Sequence, residues 1–154
     1  SVEVAAAGLR ALERTRPIDA AALAQVLPAV EARLASPAHV EVAARILGLY
    51  GPRAGHATGA VDRAAAAGSR AAGIALSAVR GDTATWVALL THDVRTDRSH
   101  ASLRDLRSLG PAAATAVPTL REILNPQERR WAPAGDFRAD LEATIEAIER
   151  AASK

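Results

Sequence analysis

The chain carries four histidines, His39, His56, His92 and His100, and no cysteine. A divalent metal needs several His, Asp, Glu or Cys donors on converging elements. The best candidate set is the dipeptide His92-Asp93 with His56 upstream and Asp140 downstream, which would suit a metal-dependent hydrolase. The local sequence THDVRTDRS has a simpler reading as a helix end running into a polar turn. There an imidazole is solvated and meets the negative end of the helix dipole. His39 and His100 stand near predicted helix starts, and both are expected to be exposed in turns. Ser, His and Asp are all available for nucleophilic catalysis, but no Gly-x-Ser-x-Gly elbow occurs. The glycines of GPRAGHATG follow no strand and lead to no Gly-Lys-Ser/Thr, so neither nucleotide-binding fingerprint is met. The sequence nominates no catalytic residue, no metal ligand and no cofactor.

Two further groups could recognise a partner. Arg129, Arg130 and Trp131 sit together in the irregular stretch NPQERRWAPAG, and Trp and Arg are the residues most enriched at binding hot spots. Arg45, Arg53, Arg63, Arg70 and Arg80 are opposed by one acid, Asp62, across residues 42–81, which offers phosphates a basic face. The net charge is only +2, from 19 basic and 17 acidic residues, so the pI near 9.9 reflects arginines that stay protonated. Five arginines without interleaved aromatics fall short of a nucleic-acid stacking platform. Nucleic-acid binding is therefore the second reading, behind another protein as partner.

The elements that must position these residues are helical. Of the 154 residues 39 are Ala, with one Phe, one Tyr and two Trp, so the core must be made of small side chains. No segment alternates apolar and polar residues as a half-buried strand would. Residues 19–35 place Leu23, Val26, Leu27, Val30 and Leu34 at helical spacing behind Asp19 as an N-cap. Ser36-Pro37 then predicts a cap and first turn for a helix over 38–50 that is apolar nearly all round. Trp86, beside Val87, Leu89 and Leu90, reads as core. The absence of Cys excludes disulfide scaffolds, zinc fingers and thiol chemistry. No run of 18 apolar residues is present to cross a membrane and no signal-like segment opens the chain, so the expected compartment is the cytoplasm. Arg in place of Lys, with abundant Ala, Gly and Pro, is the composition of a GC-rich bacterial genome.

Helix-ending glycines recur at Gly51, Gly81 and Gly110, spaced by 30 and 29 residues, and two of them precede proline. The helices before them are predicted at 38–50, 69–80 and 99–109, and those after them at 53–67, 82–92 and 112–124. Pro28 and Pro118 are expected to kink the helices that contain them. Hairpins of two such helices cannot bury their apolar faces alone, whereas stacked neighbours can.

SPAHVEVAARILGLYGP and RDLRSLGPAAATAVPTLREIL resemble HEAT repeats of the short bacterial kind. The matching positions are Val40, Ala43, Ala44, Leu47, Gly48, Gly51 and Pro52 in one unit. In another they are Leu106, Leu109, Gly110, Pro111, Ala113, Val117, Pro118 and Leu120. The chain departs from that pattern at Ser36 and Glu41, where the family usually has Asp and Arg. The resemblance implies an all-α fold, a single α-solenoid domain of stacked antiparallel hairpins over 1–154. Its units are 1–36, 37–68, 69–97 and 98–126, closed by a capping helix at 136–152 whose apolar face is Phe137, Leu141, Ile145 and Ile148. It further implies a non-enzymatic protein-interaction or scaffolding module belonging to a larger protein. Residues 1–14 place Val2, Ala5, Leu9 and Leu12 at helical spacing with no cap before them, so further repeats or a fusion partner are expected upstream of Ser1.

Overall fold

The computed structural model describes residues 20–125, 133 and 135–154. Asp19 and the Arg129, Arg130 and Trp131 trio lie outside the described residues. Every regular element among the described residues is helical: α1 Ala20–Ala32, α2 Val40–Tyr50, α3 Thr58–Ala66, α4 Arg70–Val79, α5 Thr83–Asp97, α6 His100–Leu109, α7 Val117–Leu124 and α8 Gly135–Ala152. Short 3-10 segments occupy Arg33–Ala35, Gly51–Ala57 and Gly110–Ala116. The chain divides into two compact units, one ending at Asp82 and the other beginning at Thr83. Among the described residues no helix is long and apolar enough to cross a membrane.

In the first unit α2 packs against α4, and α4 against α3. Ala43, Ala44, Ala72 and Ala75 are buried together with Leu27, Val30, Ile46, Leu47 and Val61. Small side chains let the helix backbones approach closely. At Gly48 even a methyl group would meet the Ala75 Cβ at 3.0 Å. The helix over 38–50 starts later than its sequence predicts. Ser36 caps no backbone amide of α2; its hydroxyl lies 3.0 Å from His39 Nδ1, and its carbonyl accepts from the amides of His39 and Val40. Pro37–His39 is thus a turn, and His39 folds inward to 4% exposure rather than standing in solvent.

The Gly-Pro segments behave alike. Gly51 and Gly110 adopt φ 54° and 55° with ψ −133° and −127°, a region open to glycine alone. Each is followed by Pro at the first turn of a seven-residue 3-10 run, GPRAGHA or GPAAATA, that feeds directly into an α-helix. The segments predicted as α-helix from 53 and 112 therefore begin as tighter helix. Pro118, expected inside a helix over 112–124, falls in the first turn of α7, a position that tolerates proline. The helix starts Ser69 and Ser99 also match, each hydroxyl accepting from the amide three residues on, Ala72 or Ser102.

In the second unit α6 packs on α5 and α8, and α8 also lies along the 110–116 segment and α7. The core holds Leu90, Val94, Leu103, Leu106, Leu120 and Leu141, with Trp86 buried at its margin. Helix α8 buries Phe137, Leu141, Thr144, Ile145 and Ile148 on one side. The charged residues Asp136, Glu146 and Arg150 are exposed.

Candidate functional site

Helix α5 runs on to Asp97, five residues beyond the predicted end, because nothing in THDVRTD stops it until Arg98 takes a left-handed conformation at φ 50°. The extension turns one face of α5 into a continuous stripe: Ala84, Val87, Ala88, Thr91, His92 and Arg95, at helical intervals of three and four. Opposite stand Thr115, Ala116 and Thr119, placed by the Gly110-Pro111 turn and the 3-10 run that follows it. Together they enclose an open groove of about 360 Å³. Its floor is the buried Val87, Thr91 and Ala116, while Ala88, His92, Arg95 and Thr115 are exposed at its sides. The Thr91 hydroxyl donates to the Val87 carbonyl at 2.7 Å. Arg95 donates through Nη2 to Glu122 of α7 at 2.8 Å. Among the described residues no carboxylate lines the groove itself.

A second polar cluster joins α6 to α8. His100 donates from Nδ1 to Asp140 at 2.9 Å, and Arg107 donates to the same carboxylate and to the Thr144 hydroxyl. The His100 ring meets Phe137 edge to face at 5.4 Å, and the Arg98 guanidinium lies 5.7 Å from the centre of that ring. Partial burial pushes the Asp140 carboxyl up. Hydrogen bonds from His100 and Arg107, with the charges on both, outweigh that effect and hold it below the usual carboxylate range. These contacts fix α8 on α6, a positioning role.

The residues singled out from sequence are dispersed. His92 is exposed in mid-helix rather than at a helix end. Its neighbour Asp93 is buried, accepting a hydrogen bond from the Ser102 hydroxyl of α6. His56 is paired with Glu31 at 3.5 Å. Among the described residues no three His, Asp or Glu side chains converge as a metal-binding group, so His56, His92 and Asp93 are not brought together as one. Of the five arginines, Arg80 pairs with Asp62 at 3.3 Å, Arg45 and Arg70 make interactions of their own, and Arg53 and Arg63 are exposed. Sequence reasoning missed the groove, although the Ala84 to Arg95 stripe is legible as helical periodicity once α5 is allowed its full length. It also missed Glu41, whose carboxylate accepts from the Ser69 hydroxyl at 2.7 Å and the Ala71 amide at 3.0 Å. No family model, curated protein or solved structure matches the chain.

Proposed function

We propose that this chain is a non-enzymatic, HEAT-like repeat domain whose helical hairpins stack as an α-solenoid and serve as a protein-interaction or scaffolding module. The observation that supports this reading best is the repetition of local structure. Two Gly-Pro turns 59 residues apart share backbone angles and 3-10 length, and two Ser caps 30 residues apart make the same bond. A chain built from repeated hairpins presents an extended surface rather than an enclosed pocket, which suits a macromolecular partner. Arg129, Arg130 and Trp131 are the proposed anchor residues, on the physical ground that planar, rigid, donor-rich side chains give the most contact energy.

The test is reconstitution. A partner captured with the chain is purified and its affinity measured for the wild type and for the Arg129→Ala, Arg130→Ala, Trp131→Ala triple variant. The reading expects at least a roughly tenfold loss of affinity, about 1.4 kcal/mol, with unchanged helical circular dichroism. Unchanged affinity overturns the assignment of that trio. A chain that instead binds duplex DNA or RNA, with affinity collapsing steeply as salt rises, overturns the protein-interaction reading in favour of the arginine face.

A further inference from the structure

We infer that the groove between α5 and the 110–119 segment binds the free C-terminus of a peptide whose last residue carries a small aliphatic side chain. This rests on the interaction-module reading and specifies one surface and one partner chemistry for it. The stripe on α5 has a direction. Its first turns offer methyl groups, Ala84 and Ala88 over Val87, and its later turns offer His92 and Arg95. Ala116 completes the apolar floor, and the Thr115 and Thr119 hydroxyls stand on the facing wall. Apolar contact thus lies at one end of the groove and hydrogen-bond donors lie at the other.

Size narrows the occupant. A groove of about 360 Å³ is at the small end of ligand sites and accommodates one or two residues, not a helix or a nucleotide cofactor. Charge narrows it further. Among the described residues that line the groove the one permanent cation is Arg95, which already shares its charge with Glu122, so the site suits a single negative charge rather than a phosphate dianion. A guanidinium has five N–H donors, and the Glu122 bond uses one of them, which leaves a pair for a carboxylate. Geometry then favours a chain terminus. Ala88 and His92 are one helical turn apart, about 6 Å, and a C-terminal residue carries its carboxylate and its side chain on the same carbon. The Thr115 and Thr119 hydroxyls can donate to or accept from the preceding peptide group.

The probe is acetyl-Gly-Ala-Ala-Val with a free carboxyl group, titrated into the 15N-labelled full chain. Its C-terminal amide and free isovalerate serve as the other two arms. The inference expects amide shifts in Ala84–Arg95 and Thr115–Thr119, at least about tenfold weaker binding of the peptide amide, and weaker binding of isovalerate than of the peptide. Arg95→Gln should lose about tenfold, whereas Glu122→Gln, which frees Arg95 from its competitor, should tighten binding by about threefold. A merely structural ion pair would make the two substitutions equivalent, and that result overturns the inference. Equal binding of the acid and the amide removes the carboxylate from the site. Isovalerate binding as tightly as the peptide makes this a small-acid site and overturns the peptide assignment. A silent titration, with the reconstituted partner still bound by the chain, overturns the groove assignment and leaves the interaction-module reading standing.

Discussion

Replacing Gly48 and Gly73 by alanine should change stability in opposite directions, although both glycines lie in helices of the same packed pair. Alanine is better than glycine inside a helix by roughly 0.5–1 kcal/mol. At Gly73, on the exposed side of α4, an added Cβ meets nothing within 4 Å, so that gain is unopposed. Gly73→Ala should stabilise the chain by nearly 1 kcal/mol and raise Tm by about 2–4 °C for a protein of this length. At Gly48 the same methyl would stand 3.0 Å from Ala75 Cβ and 3.3 Å from Ala75 Cα. Neither atom can rotate away, since Ala75 has no rotamers and is 2% exposed within α4. The helices must separate, and overpacking of this kind costs about 1–3 kcal/mol. The net effect of Gly48→Ala is a loss of about 1 kcal/mol. Urea denaturation followed by circular dichroism measures both. The decisive version is a double-mutant cycle. Ala75→Gly alone gives up helix propensity, but combined with Gly48→Ala it moves one methyl across the contact. The pair should therefore be less damaging than the sum of the single changes by about 1–2 kcal/mol. A Gly48→Ala chain as stabilised as Gly73→Ala, or a strictly additive cycle, would refute the close approach of α2 and α4.

Glu41→Ala removes the carboxylate that binds Ser69 and Ala71, and should cost about 1 kcal/mol, with Glu41→Gln about half as costly because an amide oxygen still accepts. Faster exchange of the Ala71 amide in both variants checks the mechanism, and an unchanged rate counts against it. Asp140→Asn tests the cluster at α8. The carboxyl is held below its usual range in the fold, so the stability it contributes is complete above the unfolded value near ~3.9 and is lost as pH falls through the folded value. The wild type should therefore lose stability more steeply than Asp140→Asn on acidification below about pH 4, while the variant is the weaker protein at neutral pH. Identical acid limbs for the two chains contradict that account.

The elements were legible because their boundaries rest on local chemistry. Glycines at 51, 81 and 110 end helical segments as their spacing indicates, with φ of 54°, 82° and 55°. The apolar stripe of α8 needs only its own periodicity to be read, though Thr144 joined it by turning its hydroxyl back to the Asp140 carbonyl at 2.7 Å. What escaped reading depends on which partner a side chain meets once the turns are made, not on its own residue type. His39 looks like a turn residue until Ser36 and the Pro37–His39 turn bring it inward. Asp93 looks solvated until Ser102, nine residues on, is folded against it. The α5 end was misjudged for a different reason. Its stop is Arg98 in a left-handed conformation, whereas the corresponding position before the other Ser cap is Gly68, at φ 96°. A non-glycine stop leaves no mark in composition. Its cost, of order 1 kcal/mol or more, is offset here by what the side chain reaches, the face of Phe137.

The alanine-rich core explains why such polar devices recur. A buried methyl contributes little compared with the 1.5–3 kcal/mol of a large aliphatic side chain, and a smooth surface of methyls fits a neighbouring helix in many registers. Packing alone therefore specifies position weakly where α2 and α4 bring Ala43, Ala44, Ala72 and Ala75 into the core. Register must come from groups with direction. In the first unit Glu41 holds both the Ser69 hydroxyl and the Ala71 amide, fixing the start of α4 relative to α2. In the second unit Asp93 of α5 holds Ser102 at the start of α6, and Asp140 of α8 holds Arg107 further along the same helix. Each bond joins an acid on one helix to a donor on its neighbour. Directional bonds between neighbouring helices, added to the buried core, leave much of the exposed helix surface without packing duty. The groove on α5 is such a face, for its Ala84, Ala88 and His92 are exposed while Val87 and Leu90 carry the packing.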